Sequence, residues 1–369
     1  MANTFLTPDI IGKEALMILE NDLIATQLVH RGHAEEFSGA KKGDTITVRG
    51  PASFTAQEFA GSVVVQNATE TSVSLQLEKH FDVTFKVTAK DWTLEVEDFS
   101  AQLVRPALAA IAQGIDDYIC GKATLIPNYV GAATDPPDSL ADLAAVDKKM
   151  NDLKIPNDGN RFAIIDSQAK ADMLGITNVI QAEQRGDGGD AIKRASLGEI
   201  MGINWYMSQN INTQGDASAS TGWLVNLVAG YAAGATAMVL DTGTNDPEVG
   251  DVFVVAGDTD QHAVTAYAAN TVTFTPGLGS AVVDNAALTI VAQHQMNFGG
   301  HPNGMTMAIV PLELPRGVGA NQAQYVEDRG LGLRVVFGYD MDAKADTISF
   351  DVLVGAQVQQ APLLTRILG

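Results

Sequence analysis

From Val73 to Val87 the chain alternates apolar and polar residues almost without interruption. The odd positions hold Val73, Leu75, Leu77, Phe81, Val83, Phe85 and Val87. Ser74, Gln76, Glu78, His80, Asp82, Thr84 and Lys86 lie between them, and only Lys79 breaks the pattern. A period of two marks a strand with one buried face. At about 3.3 Å per residue the segment would run for roughly 50 Å, whereas most strands hold about 3–10 residues. A compact domain rarely needs that length, but an arm that leaves the body and returns does.

The chain has 369 residues and 46% apolar residues, enough for two or three packed domains. Its charged fraction of 18% is low, and the balance is acidic, with 23 Lys and Arg against 44 Asp and Glu for a net −21. That composition argues against disorder, which requires low hydrophobicity and high charge. It also argues against nucleic-acid binding, which requires clustered bases. The charge is unevenly distributed. No Lys or Arg occurs in the 121 residues from Ala195 to Pro315, which carry ten acids: Glu199, Asp216, Asp241, Asp246, Glu248, Asp251, Asp258, Asp260, Asp284 and Glu313. Such a break in composition points to a separately shaped unit.

Thr7-Pro8-Asp9 reads as a helix start, and Ile11, Ala15, Leu19, Leu23 and Ile24 form a stripe running towards Val29. This helix has too few neighbours in sequence to bury its own face, so it must dock on the body or on another subunit. Thr45–Arg49 reads as a strand. Asp91 to Ile119 reads as a helix with a stripe of Val104, Leu108, Ile111 and Ile115, and Pro106 either kinks it or marks its true first turn. Ser139 to Leu153 is an amphipathic helix and Arg161–Ile165 a short strand. Ser167 is placed to cap the next helix, Gln184 to Asp190 is a loop, and Leu197 to Met207 leads into a strand. Up to this point the pattern is α/β.

Thr221 to Val291 changes character. Short apolar runs at Trp223–Val228, Ala237–Leu240, Val252–Val255, Thr271–Phe274 and Ala287–Val291 alternate with Gly, Asn and Asp turns, which suggests a small barrel or sandwich. Beyond it Thr306–Val310 reads as a strand. Leu331 to Tyr339 and Ile348 to Val354 form a hairpin, with Arg334 and Asp351 expected to face outward.

No constellation of catalytic residues can be assembled. Gly39 to Thr45 lacks the lysine of a phosphate-binding loop, and Gly317-Val318-Gly319 lacks the third glycine of a dinucleotide site. His30 and His33 have metal-compatible spacing without a partner ligand, and His294 and His301 stand alone. Asp241 to Asp246 resembles a calcium loop but has Asp246 in place of the sixth-position glycine and Val252 in place of the twelfth-position Glu. Cys120 reads as a small buried hydrophobe, and a single cysteine excludes an internal disulfide. No cofactor and no metal is expected. Met1 to Thr7 has no basic n-region, so no secretory leader is expected. The charge-free run Ala217–Leu240 is too polar and too rich in glycine to suggest a membrane span.

The order of these parts resembles the major capsid (coat) proteins of tailed phages, which have the Hong-Kong-97-type fold. Four stretches carry the resemblance. Gly43-Asp44-Thr45-Ile46-Thr47-Val48 is similar to the opening of the family's long β arm, the E-loop. Phe99-Ser100-Ala101-Gln102-Leu103-Val104-Arg105-Pro106-Ala107-Leu108 is similar to the entry of its spine helix. Leu197-Gly198-Glu199-Ile200-Met201-Gly202 resembles its strand entry. Asn303-Gly304-Met305-Thr306-Met307-Ala308 resembles the segment that resumes the axial domain. The β-rich stretch is similar to the insertion domain of the podovirus coat-protein branch.

The resemblance implies an α+β fold with an N-terminal arm at 1–35, an E-loop and peripheral strands at 36–90, and a spine helix at 91–122. An axial domain at 123–215, an inserted small β-barrel at 216–295, and an axial return with a peripheral hairpin at 296–369 complete it. It implies a structural, non-catalytic protein that self-assembles through pentamers and hexamers into an icosahedral shell around phage DNA. Such a protein would be assembled in the host cytoplasm and remain in the virion, without membrane contact or sequence-specific DNA binding. Scaffolding protein, portal and decoration protein are the implied partners. Contacts between subunits are expected at Phe54, Gln57 and Phe59 of the arm, Ile11 and Leu19 of the N-terminal helix, and Arg185 and Asp187 of the axial loop. Two alternatives are an encapsulin-like compartment of the same fold and a sugar-binding or catalytic module centred on the β-rich stretch. The lack of bases in that stretch predicts that it faces outward into solvent.

Overall fold

The computed structural model describes residues 24–32, 45–49, 54, 56–59, 65, 72–88, 100–181, 190–215, 220–310, 312–314, 323–328, 331–342 and 344–369. The chain divides into two compact units. The first comprises Met1–Asp22, His30–Gly114 and Thr306–Gln360, and the second Leu23–Val29, Ile115–Met305 and Ala361–Gly369.

The first unit is built on the long strand Ala345–Val358. Leu331–Asp340 pairs with it antiparallel on one side and Lys79–Thr88 on the other, and Ala323–Asp328 lies beyond Leu331–Asp340. Alternation along these strands buries Leu333, Val335, Ile348, Phe350, Val352 and Val354 on one face. The Phe85 and Phe350 rings sit 6.1 Å apart. Asp351 does not face outward as expected but is buried. Its Oδ1 accepts from Arg334 Nε at 2.8 Å and its Oδ2 from Arg334 Nη2 at 2.5 Å. Arg334 and Asp351 stand directly opposite each other on neighbouring strands, so a two-pronged bond offsets the burial of the carboxylate.

The alternating segment is two strands rather than one. Ser72–Gln76 pairs with Thr45–Arg49, and Lys79–Thr88 pairs with Ala345–Val358. Leu77 and Glu78 are the crossover, where the Glu78 amide donates to the Val354 carbonyl at 3.2 Å. The change of partner needs close backbone approach, and Gly355 provides it: a Cβ there would lie 2.1 Å from the Gln76 carbonyl oxygen. The period of two continues through the crossover, so hydrophobicity alone does not reveal it. Ile46, Val48, Leu75 and Ala308 form a small separate core beneath the shorter ladder.

Pro106 marks the true first turn of the central helix. The π-helical turn Ser100–Val104 runs directly into the α-helix Arg105–Gly121, and Pro106, with no N–H to donate, falls in the first turn of the α-helical part, where the hydrogen-bond register changes. The stripe Val104, Leu108, Ile111, Ile115 and Ile119 is buried. The expected helical residues 91–99 lie outside the described residues.

In the second unit six strands run in the order Tyr129–Val130, Leu364–Ile367, Asn297–Gly300, Phe162–Ile165, Ile203–Met207 and Gly198–Ile200. The pairs of Leu364–Ile367 with Tyr129–Val130 and of Phe162–Ile165 with Ile203–Met207 are parallel. Phe162–Ile165 is buried at every position, as befits a strand covered on both faces. The helix Leu140–Asp152 lays Leu143, Val146 and Met150 into the same core as Ile165, Trp205 and Ile367. Its start is a reciprocal cap, in which the Asp142 amide donates to Ser139 Oγ and the Ser139 amide to the Asp142 carboxylate. Asp166, not Ser167, caps Ser167–Gly175. The expected single strand after Leu197 is a hairpin, turning at Met201 and Gly202, both with positive φ.

Within the base-free stretch, residues 224–290 form a six-stranded antiparallel sheet in the order Leu288–Ile290, Val252–Val255, His262–Ala268, Thr271–Thr275, Ala237–Asp241 and Leu224–Val225. Its ends bond to each other. The Leu288 amide donates to the Trp223 carbonyl at 2.9 Å, the Val225 amide to Ala286 at 3.0 Å and the Asn285 amide to Val225 at 2.8 Å. The resulting ring encloses its own core, which includes Trp223, Val225, Leu240, Phe253, Val264, Val272 and Phe274. His262–Ala268 is the strand absent from the sequence reading.

The ring meets the rest of its unit at Gln261, whose side chain accepts from the Tyr129 amide at 2.9 Å and Lys149 Nζ at 2.7 Å and donates to the Tyr129 carbonyl at 3.1 Å, and at Gly250. This residue has φ +98°, and a Cβ there would lie 2.8 Å from Thr124 Cβ and 2.7 Å from Gln214 Oε1. Gly250→Ala is expected to cost about 2–4 kcal/mol from backbone strain plus overpacking. The expected reading is a lowered urea midpoint with an unchanged m-value; wild-type stability would refute it.

Candidate assembly surfaces

Three of the residues expected at subunit contacts are described, and all three are exposed. Phe54 is 66% and Phe59 71% exposed, with Gln57 between them also exposed. Val65 is 84% exposed. Two phenylalanines and a valine presented to solvent within a dozen residues carry a hydration cost that a partner surface would remove. The four other expected contacts, Ile11, Leu19, Arg185 and Asp187, lie outside the described residues.

The structure adds exposed apolar positions that the sequence reading passed over. Ile192 stands exposed on the short helix Asp190–Arg194, and Tyr339 and Met341 are exposed at the turn of the long hairpin. On the ring Val228 is 92% and Val283 71% exposed. Their loops are joined, since the Tyr231 amide donates to the Val282 carbonyl at 2.8 Å and the Leu227 amide to Asp284 Oδ1 at 3.0 Å. A single valine in a loop gives no periodic signal, so Val228 and Val283 became legible only with the fold.

Polar anchors hold the elements behind these surfaces. Asp116, buried on the central helix, accepts from the Ile24 amide at 2.9 Å, the Ala25 amide at 3.3 Å, and the Thr26 amide and hydroxyl at 3.4 and 3.2 Å. These bonds seat the short helix Ala25–Leu28 at its N-terminal end, where a carboxylate is favoured. Burial raises the Asp116 pKa above the ordinary carboxylate value, and the bonds from Ile24, Ala25 and Thr26 only partly oppose it. One turn on, burial and then the Asp116 and Asp117 carboxylates push the Cys120 thiol up to about 12, so it stays protonated and unreactive.

Arg161 is almost fully buried and donates to Asp147 Oδ1 at 3.0 Å, Asn151 Oδ1 at 2.8 Å and the Pro156 carbonyl at 3.0 Å, fastening the helix Leu140–Asp152 to the loop after it. His301 is a partnered residue, with Nε2 3.2 Å from Asp158. The Asn160 side chain and amide, with a smaller contribution from His301, hold Asp158 down at about 2.

No family model matches the chain, and no curated protein does. Solved structures do match. A structure of Mycobacterium phage Che8 covers 94% of this chain and 90% of its own, with a TM-score of 0.55 at 14% identity. The chain shares the α+β fold of that phage structure. The capsid of cyanophage P-SCSP1u covers 89% of the chain at a TM-score of 0.49 and 12% identity, and the mature capsid of bacteriophage PhiM1 covers 89% at 0.47 and 10%. At 14% identity the fold of the Che8 structure persists although few side chains are shared.

Replacing Asp116 by Ala removes four hydrogen bonds to one buried carboxylate. The expected loss is about 2 kcal/mol locally, roughly a thirtyfold rise in opening of residues 24–28. Amide hydrogen exchange on that peptide reads it directly, and unchanged protection would show that the anchor is not Asp116.

Proposed function

We propose that this chain is the major capsid protein of a tailed phage, a structural and non-catalytic subunit that self-assembles into a closed shell around DNA and stays in the virion. The observation that carries the reading is the fold of a phage structure over 94% of the chain, combined with the exposure of Phe54 and Phe59. A monomer gains nothing from those rings. A subunit that lays them on its neighbour gains the burial of two aromatic side chains at every repeat of the contact.

The finer assignments follow from the same reading. Residues 1–35, 36–90, 91–122, 123–215, 216–295 and 296–369 serve as N-terminal arm, E-loop with peripheral strands, spine helix, axial domain, inserted domain and return to the sheet. Subunits meet in pentamers and hexamers through heterologous contacts that close by rotation. A scaffolding protein and a portal guide assembly, and decoration protein adds to the outer face. The ring belongs to a podovirus-type insertion and faces outward. The net charge of −21 suits a container that must hold DNA and release it, because acidic walls repel phosphate.

Expression of the chain is expected to yield megadalton particles, visible by electron microscopy; a persistent monomer under all assembly conditions would refute the reading. In the Phe54→Ser, Phe59→Ser double variant the critical concentration for assembly should rise about tenfold or more, with the melting temperature of the unassembled subunit unchanged. Assembly at the wild-type concentration would remove the arm from the contact.

A further inference from the structure

The chain enters and leaves the ring through a minimal stem. Thr213–Gln214 and His294–Gln295 pair antiparallel, with His294 opposite Gln214 and Gln295 opposite Thr213. His294 is buried, and its Nδ1 lies 2.9 Å from the Ala292 carbonyl. A carbonyl only accepts, so Nδ1 carries the proton and Nε2 is the bare acceptor. That Nε2 is buried and has no hydrogen-bond partner among the described residues.

The charged groups acting on His294 are Arg366, from the strand Leu364–Ile367, and Asp251, at the foot of Val252–Val255. Arg366 is fully buried, and its guanidinium donates to two neutral carbonyls, Gly250 at 2.8 Å and Thr124 at 2.6 Å. Asp251 is buried and already engaged, with Oδ1 accepting from Gln214 Nε2 at 3.0 Å and Oδ2 from the Glu248 amide at 2.9 Å. Gln214 stands opposite His294 across the stem, and the Gln295 amide donates to a Gly369 oxygen at 3.0 Å. Of the charged groups acting on His294 one is a cation and one a carboxylate, so its protonation would set two buried cations against Asp251.

We propose that this stem is an acid-opened hinge, in which protonation of His294 at Nε2 breaks the pairing of residues 213–214 with 294–295 and frees the ring from the contacts at Gly250 and Thr124. Opening hydrates Arg366 and the imidazolium together, which is the relief that drives it. The sign of the pH dependence is fixed by the same surroundings. Burial, and then Arg366, hold His294 below its ordinary 6.5, against the smaller pull of the Ala292 carbonyl and Asp251. In the open stem the ordinary value returns. Above it both states are neutral and opening is independent of pH. As the pH falls below it only the open state takes up a proton, so opening increases until the closed-state value is reached. The device operates whether or not the chain builds a shell.

The test is amide hydrogen exchange on the whole 369-residue chain, followed through peptides covering 211–215 and 292–297 from pH 7.5 to 5.5 and corrected for intrinsic exchange. Opening of the stem should rise about tenfold over that range, while Phe162–Ile165 stays protected. In His294→Asn, which keeps a donor for the Ala292 carbonyl but does not titrate, the rise should vanish. A stem equally protected at both pH values in the wild type, or the same pH dependence in His294→Asn, would overturn the proposal. Should that variant fail to fold, C2–H exchange of the wild-type imidazoles decides: a His294 midpoint below 6.5 supports the hinge, and one at or above it refutes it.

Discussion

Arg366 is the joint on which the second unit depends. It lies on Leu364–Ile367, the second strand of its sheet, yet its guanidinium reaches Thr124, just past the central helix, and the base of the ring at Gly250. Three segments distant in sequence are thereby held by one side chain with no exposed surface. Burial lowers the guanidinium pKa to about 9, with Asp251 opposing, so the group stays charged at neutral pH. A buried cation is weak evidence of net stability but strong evidence of geometry. The carbonyls must lie where the guanidinium can reach them, and Gly250 lets the ring approach that closely.

The same balance recurs elsewhere at smaller scale. Arg161 fastens a helix to its following loop, and Arg334 with Asp351 fastens two strands through opposed positions. Asp116 seats a segment far from it in sequence. In each case a buried ion or carboxylate is bonded to groups of a second segment, so placement is specified by hydrogen bonds where hydrophobic contact would leave it free to slide. A chain with 18% charged residues has few such groups, and several of those it has are spent on joints of this kind.

The periodic features were legible in the sequence. The stripe at Val104, Leu108, Ile111 and Ile115, the helix after Ser139, the Leu331 to Val354 hairpin and the β-rich, base-free stretch all stand in the structure as read. The failures have physical causes. The break at Leu77 and Glu78 keeps the period of two, so only the change of partner reveals it. His262–Ala268 is rich in alanine and carries a histidine packed between Phe253 and Phe274, so its buried face does not look hydrophobic. Asp351 reads as an outward residue until Arg334 is seen opposite it. His294 looks like a lone histidine because Arg366 and Asp251 approach it from distant parts of the chain. Phe54, Gln57 and Phe59, expected at subunit contacts, are exposed, and their role in contacts belongs to the proposed function.

The hydrogen bonds that join the first and last strands of the ring bear on crowding. An open sheet presents a row of unpaired amides and carbonyls that can template pairing with another copy, a hazard that grows with local concentration. A ring whose described strands bond end to end presents no such row. Copies can then stand side by side at high density with their contacts limited to side chains, and a β-rich body can be repeated many times without seeding a fibre.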